Sequence, residues 1–147
     1  MEAVCGADGF DEFEVEDGGL PGGHRDAEDA SPQATALREL KEELGLTPEA
    51  VTCFGELPPQ TALRGTLVYP VLGFAAAKLT DLKPAAAEVA AVFTMPWQAL
   101  QVPKSTPFNF TIFGLRRHSH LFRAAPRFKV WGLTASLIVS ADLRPLD

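Results

Sequence analysis

The feature that most constrains this chain is a segment with a complete set of helix start and stop signals. Ser31 is a favourable N-cap, and Pro32 suits the first helical position, where its missing N–H would have no helical partner in any case. The next glycine, Gly45, is a favourable left-handed C-cap. The sequence therefore predicts a helix over residues 32–44.

The predicted helix separates apolar from acidic side chains. Three leucines fall on one stripe, at about 100° per residue, and would pack on a core: Leu37, Leu40 and Leu44. Three carboxylates fall roughly opposite: Glu39, Glu42 and Glu43. Like charges at this spacing repel each other by a few tenths of a kcal/mol per pair, and a cation would relieve the repulsion. Hard carboxylate oxygens suit Mg²⁺ or Mn²⁺, which also bind phosphate oxygens.

The residues around the predicted helix decide between two interpretations of these glutamates. On a glutamate-rich helix alone, the favoured interpretation is three solvated side chains on an ordinary amphipathic helix. Here Gly22 and Gly23 precede the helix and permit close approach of a ligand to the backbone, and Arg38 stands directly before the first glutamate. This combination favours a site that holds a divalent cation beside a phosphate.

The fixed residues of this region resemble the signature of the Nudix hydrolases. They are, in chain order, Gly23, Asp29, Arg38-Glu39-Leu40, Glu42-Glu43 and Gly45-Leu46. The second half matches the signature at every fixed position. In the first half, Asp29 stands where a Glu is usual, and eight residues rather than seven separate it from Arg38.

Other segments resemble one branch of that superfamily, the coenzyme A diphosphatases of the peroxisomal and mitochondrial CoA pyrophosphatase type. The resemblance begins with residues 21–26 and 35–39. It continues through residues 55–59, 68–74, 88–89, 92–93 and 130–135. It therefore covers roughly residues 18–141. A first strand and a hairpin usually precede the glycine pair in this branch, and we expect no counterpart of them in the short, acidic N-terminal segment.

The resemblance implies a role for each polar residue of the predicted helix. Glu42 and Glu43 would be the principal ligands of Mg²⁺ or Mn²⁺. Glu39 would be a further ligand or the base for the attacking water. Arg38 would orient the glutamates through a salt bridge, and Asp29 would cap its loop rather than bind metal.

Substrate-binding residues are expected in two places. The backbone of Gly22 and Gly23 would admit the phosphates, and His24 stands beside them. The second place is a basic stretch in the C-terminal half, where we expect Arg116 and Arg123 to hold substrate phosphates, although the whole chain has a net charge of -6. A basic hairpin that merely faces solvent is an equal alternative for this stretch.

The fold class expected from the resemblance is α+β, a Nudix-type α/β/α sandwich with a mixed sheet and incomplete N-terminal strands. Residues 1–17 are predicted to be an irregular acidic leader, with at most one short strand at 10–15, and residues 18–147 to form the Nudix domain. Strands are predicted at 51–55, 67–77, 88–94, 108–113 and 119–122, the last two as a hairpin. A helical turn is predicted at 96–100 and a closing helix at 131–143, for which the apolar residues 137–139 leave a strand open as an alternative.

Three functions are open on the sequence alone. The first is hydrolysis of coenzyme A or acyl-CoA to 3′,5′-ADP and (acyl-)4′-phosphopantetheine. The second is hydrolysis of another nucleoside diphosphate conjugate, such as ADP-ribose or NADH. The third is a catalytically silent Nudix remnant that only binds.

The composition of the chain indicates which partners and which cellular compartment to expect. No apolar run approaches the ~20 residues that span a bilayer, and no signal peptide is visible. Cys5 and Cys53 are too few for a disulfide framework. We therefore expect an intracellular soluble protein of the cytoplasm, mitochondrion or peroxisome. The expected partner is a small nucleotide substrate, with no nucleic acid and no membrane, and a homodimer stays open.

Overall fold

The computed structural model describes residues 2–8, 16–62, 65–124 and 128–141. The chain divides into two compact units: one combines the described residues of Met1–Gly19 and Phe93–Asp147, and the other is Leu20–Val92. In chain order the strands and α-helices are β1 (Glu2–Asp8), β2 (Glu16–Gly19), α1 (Pro32–Leu44), β3 (Val51–Glu56), β4 (Gln60–Thr61), β5 (Leu67–Val68), β6 (Val71–Ala75), β7 (Ala91–Pro96), β8 (Thr106–Ile112), β9 (Leu115–Ala124), β10 (Phe128–Val130) and α2 (Gly132–Ser140).

Helix α1 forms for the reasons that the sequence gives. The Ser31 hydroxyl accepts a hydrogen bond from the Ala34 N–H at 3.1 Å, and Pro32 occupies the first turn. Gly45 ends the helix in the left-handed conformation, with φ 71°, and its N–H donates to the Lys41 carbonyl. The predicted helix over residues 32–44 is confirmed.

The unit Leu20–Val92 anchors the C-terminal end of α1 through its backbone. The last carbonyls of a helix have no partner within it. Here the Lys83 N–H donates to the Leu44 carbonyl at 2.8 Å, and the Ala85 N–H donates to the Glu43 carbonyl at 2.8 Å. Leu44 itself is fully buried, whereas the other two leucines of the predicted stripe are half-buried. The helix also packs on the antiparallel pair β3–β6.

The other unit contains a mixed six-stranded sheet with the strand order β7-β1-β2-β10-β9-β8. β2 and β10 pair in parallel, and β1–β2, β9–β10 and β8–β9 pair antiparallel. Helix α2 packs against β9. The largest fully buried side chains of this unit are Phe122, Met95 and Val130. Because α2 buries Ala135, Leu137 and Ile138 as well, the core of this unit includes the helix.

Most predicted elements are present, and the α+β class with a mixed sheet is confirmed. The strand at 51–55, the helical turn at 96–100 and the hairpin of residues 108–113 with 119–122 all occur, the last as the longer strands β8 and β9. The closing helix is shorter at its start by one residue, and its predicted end extends past the described residues. The predicted short strand at 10–15 lies outside the described residues.

Three predictions need correction. The leader is not irregular, because β1 and β2 pair with Gly6 opposite Gly19; backbone pairing in a sheet overrides the low strand propensity of acidic and glycine residues. The strand at 67–77 is split, since Pro70 has no N–H to donate. The strand at 88–94 begins later, because Glu88 and Val89 donate their N–H groups to the Ala85 carbonyl in a turn.

Among the described residues, no helix is both long enough and apolar enough to cross a membrane.

Candidate active site

Arg38 is the residue around which the acidic groups of α1 and the preceding loop gather. Its Nη1 donates to Glu39 Oε1 at 3.1 Å and to Glu42 Oε2 at 2.9 Å. Its Nη2 donates to the His24 carbonyl at 2.8 Å. One planar guanidinium therefore fixes two carboxylates of α1 and one carbonyl of the segment 22–24, called the glycine turn below, at the same time.

Asp29 supplies the main counter-charge of this guanidinium. Its carboxylate accepts hydrogen bonds from Arg38 Nε at 3.2 Å and from Arg38 Nη2 at 3.0 Å, in the two-pronged arrangement that favours Arg over Lys. Asp26 N–H donates to Asp29 Oδ2 at 2.9 Å, so the prediction that Asp29 caps its loop is confirmed. Arg25 holds the same loop by donating twice to the Asp29 carbonyl.

The ion pair changes the titration of both partners. The hydrogen bonds from Arg38, and next the Asp26 N–H, lower the pKa of Asp29 from its usual 3.8 to about 2. The hydrogen bond to Asp29 raises the pKa of Arg38 above its already high value. The Asp29 side chain is only 7% exposed. Both groups are therefore charged at neutral pH, and Asp29 is a fixed structural anion.

Gly23 lies directly against the carboxylate of Glu39. A Cβ built at position 23 would overlap that carboxylate, with Oε2 only 2.6 Å away. Glu39 is thus confined between the bare backbone of Gly23 on one side and Arg38 on another. A side chain at position 23 would therefore displace the Glu39 carboxylate from the position in which Arg38 holds it.

The donor chemistry of this cluster fits a hard divalent cation. Glu39 and Glu42 place carboxylate oxygens within hydrogen-bonding distance of the same Arg38 nitrogen, and Glu42 is 55% exposed. Mg²⁺ is typically held by one or two carboxylates, with waters and substrate phosphates completing the octahedron. Within the described ranges, no group of three or more His, Cys, Asp or Glu side chains is arranged so that it could hold a metal ion. Glu39 and Glu42 alone supply the one or two carboxylates of an open Mg²⁺ site.

The remaining predicted site residues have different surroundings. Glu43 is half-buried on α1, one residue after Glu42. Gly22, Gly23 and His24 are exposed and lie in irregular backbone between β2 and α1, and the contact that His24 makes with the cluster comes from its backbone carbonyl. The predicted substrate contacts of these residues stay predictions.

Arg116 and Arg123 belong to the other unit, on β9, where both are exposed. They are seven residues apart along a strand in regular register, so their side chains leave opposite faces of the sheet. They therefore do not form one basic cluster along β9. Their contact with substrate stays a prediction for each residue separately.

The contact between Asp29 and Arg38 was not predicted from the sequence. The prediction gave the salt bridge of Arg38 to the glutamates alone and gave Asp29 only a loop-capping role. The position of Asp29 could have predicted this contact. In the Nudix signature an acidic residue stands at this place, a fixed number of residues before the arginine. An aspartate is one methylene shorter than a glutamate, and the loop with its additional residue delivers it to the guanidinium nevertheless.

Comparison with known proteins agrees with this geometry. The model of the NUDIX domain family matches residues 10–113. A protein from Pectobacterium atrosepticum named Uncharacterized Nudix hydrolase NudL is 40% identical over 129 residues, which cover 87% of this chain and 66% of the relative. Proteins of the same name from Salmonella paratyphi B and Salmonella newport are 39% identical over 120 residues, which cover 81% of this chain and 62% of each relative.

The chain thus spans slightly less than two thirds of the length of the curated relatives that it matches. The family match covers most of the chain and includes the glycine turn, the Asp29 loop and all of α1. This chain belongs to the NUDIX domain family.

Proposed function

We propose that this chain is a divalent-cation-dependent hydrolase of a phosphoanhydride bond in a nucleoside diphosphate derivative, with coenzyme A or acyl-CoA as its substrate. The observation that carries the proposal is that Arg38 donates hydrogen bonds to Glu39, to Glu42 and to the carbonyl of His24, next to the glycine pair. Nudix enzymes generally use divalent metal ions, and the relatives carry the name of Nudix hydrolases.

The reaction adds one water across the diphosphate. The water oxygen forms a bond to one phosphorus, the bridging P–O bond breaks, and the bridging oxygen leaves with the other phosphate. From coenzyme A the products are 3′,5′-ADP and 4′-phosphopantetheine, and acyl-CoA gives the acylated phosphopantetheine. The proton lost by the water passes to a base, for which we propose Glu39.

Glu42 and Glu43 would hold Mg²⁺ or Mn²⁺, with Glu39 as a further ligand when it is not acting as the base. When bound, the cation stabilises the charge that builds on the diphosphate oxygens and activates the attacking water. Arg38 acts as a positioning residue, because its hydrogen bonds orient Glu39 and Glu42 and its own charge is balanced by the buried Asp29.

The glycine turn would accept the diphosphate. Gly22 and Gly23 are exposed and lack side chains, so phosphate oxygens can approach their backbone. His24 follows them with an exposed side chain. On β9, Arg116 and Arg123 would be candidates to contact phosphate groups of the substrate, among which the 3′-phosphate distinguishes coenzyme A from ADP-ribose and NADH.

The choice of coenzyme A rests on the segments outside the α1 region that resemble the coenzyme A diphosphatases, such as residues 68–74 and 130–135. ADP-ribose and NADH contain the same diphosphate and would require the same α1 groups. The names of the relatives specify no substrate. A direct comparison of turnover on coenzyme A, ADP-ribose and NADH is therefore needed to identify the substrate.

The test incubates the 147-residue chain with coenzyme A, ADP-ribose or NADH in the presence of Mg²⁺ or Mn²⁺, and separates the products. We expect release of 3′,5′-ADP from coenzyme A, dependence on the cation, and loss of turnover in Glu42→Gln. Glu56→Gln, an exposed glutamate at the end of β3, is the matched control and should retain turnover. Calorimetric titration with Mn²⁺ should show weaker binding to Glu42→Gln than to Glu56→Gln.

Each other result has a distinct meaning. Turnover of ADP-ribose or NADH without coenzyme A would keep the mechanism and reject the substrate. A folded chain that binds Mn²⁺ and turns over none of the three would favour the silent binding module. Equal turnover by Glu42→Gln would contradict the assignment of the site.

A further inference from the structure

The turn between β8 and β9 contains a residue that its backbone disfavours. Ile112 pairs with Leu115, so only Phe113 and Gly114 connect the strands. Both have positive φ, 51° for Phe113 and 73° for Gly114, as a type I′ hairpin turn requires. Asn or Gly is the usual first residue of such a turn, whereas a bulky residue at positive φ is a genuine outlier.

Among the described residues, the side chain of Phe113 gains little burial to compensate for this conformation. It is 73% exposed, and Leu115 immediately after the turn is 57% exposed. An aromatic ring is therefore held at the outermost point of a hairpin, in a backbone conformation that it does not favour. A residue whose backbone conformation is unfavourable and whose apolar side chain is exposed to solvent does not stabilise the fold. It is therefore a candidate for binding a partner.

The residues that follow the tip are basic. Arg116 and Arg117 continue β9 and are exposed, opposite Thr111 and Phe110. Residues 89–141 contain six Lys or Arg and no Asp or Glu, in a chain whose net charge is -6. The apolar tip is thus followed by cations and lies in a long stretch of sequence without acidic residues.

We propose that the β8–β9 hairpin tip docks the protein on an anionic lipid bilayer. Phe113 and Leu115 would enter the interfacial region, and Arg116 and Arg117 would contact the acidic headgroups. An anionic bilayer suits the small size of this hairpin tip better than a protein partner does. A stable protein interface buries about 800 Å² on each side, which two apolar side chains at a narrow turn do not supply, whereas a bilayer needs only a small apolar insertion and nearby cations.

The test is co-sedimentation of the 147-residue chain with vesicles of phosphatidylcholine, alone or mixed with phosphatidylserine, at low and high salt. We expect binding to the anionic vesicles only, and loss of binding at high salt, because surface charges are screened. Phe113→Asn should reduce the partition coefficient about tenfold through the lost apolar insertion. Arg117→Gln should reduce it about fivefold.

Phe113→Asn separates docking from folding. Asn-Gly is the preferred pair for a type I′ turn, so this variant should keep or raise the thermal midpoint while it loses vesicle binding. Leu79→Asn is the matched control, since Leu79 is also exposed, at 46%, but lies in the short 3-10 helix Leu79–Asp81. This variant should bind vesicles as the parent does.

Three results of the vesicle experiment would overturn the proposal. They are absence of binding to anionic vesicles at low salt, equal binding by Phe113→Asn, and equal binding to vesicles of phosphatidylcholine alone. Self-association that disappears in Phe113→Asn, measured by sedimentation velocity without vesicles, would assign the tip to a second copy of the chain and would also overturn it.

Discussion

The buried carboxylate of Asp29 and the half-buried guanidinium of Arg38 form a two-pronged ion pair, with Nη2 and Oδ2 3.0 Å apart. The pair joins the loop before α1 to the middle of the helix. The same guanidinium also holds Glu39 and Glu42. The loop therefore helps to determine where the proposed cation ligands lie. Asp29 itself is not one of these ligands, because its carboxylate already accepts hydrogen bonds from Arg38 and from the Asp26 N–H.

Asp29 should make stability depend on pH in the acidic range. Its pKa is about 2 in the folded chain against a usual 3.8, so the carboxylate is favoured by folding. The resulting stabilisation is fully present above about pH 4 and is lost as the pH falls through about 2. Urea unfolding of the parent chain and Asp29→Asn should therefore differ most near neutral pH, and the difference should shrink between pH 4 and pH 2. A difference that stays constant across this range would contradict the assigned pKa.

Arg38→Lys should impair turnover although it keeps the positive charge. A lysine offers one ammonium group and cannot hold Asp29, Glu39 and Glu42 with a planar fork. Because groups that orient metal ligands typically contribute 10- to 100-fold, we expect a loss of about that size in kcat/KM. Lys41→Arg, at an exposed position of the same helix, is the control and should leave kcat/KM within about twofold. An unaffected Arg38→Lys enzyme would show that the fork does not position the glutamates.

Gly23→Ala should lower turnover by displacing Glu39. The added methyl group would overlap the Glu39 carboxylate, which must move away from the position that Arg38 gives it. A double-mutant cycle with Glu39→Ala tests this route, because Gly23→Ala should have little further effect on turnover once the carboxylate is absent. Additive losses in kcat/KM would mean that the glycine acts on catalysis by another route, such as approach of the substrate phosphates.

Ser31→Ala should destabilise the fold at the start of α1. The serine hydroxyl accepts the Ala34 N–H, which would otherwise lack a partner at the helix N-terminus. We expect a loss of about 1 kcal/mol in the free energy of unfolding, measured with urea. Ser31→Asp preserves an acceptor and should recover most of that loss. Equal destabilisation by both variants would show that the cap bond is not the cause.

The elements and residues that depend on local signals were predictable. The bounds of α1 follow from Ser31, Pro32 and Gly45, whose preferences act within one or two turns of backbone. The strand at 51–55 and the β8–β9 hairpin likewise follow from short apolar patterns. Family membership was also accessible, because the signature residues keep their order and nearly all of their spacing.

Elements whose stability comes from distant partners were not predictable. β1 and β2 are poor strand sequences, and they are strands because each pairs with a neighbour in the sheet: β2 lies between β1 and β10, although β10 follows more than a hundred residues later in the chain. The split at Pro70 and the turn at Glu88 have local causes instead. Pro70 has no N–H to donate, and Glu88 and Val89 donate their N–H groups to the Ala85 carbonyl three and four residues earlier.

The sequence by itself determined the helix of the site, the acidic groups on it and the family. Only the tertiary structure decided that Asp29 reaches Arg38, that Gly23 lies against Glu39, and that Phe113 projects from its turn. The physical reason is that propensity and charge spacing act over a few residues. Ion pairs, close packing and exposure depend instead on the path of the backbone between residues that are separated in the sequence.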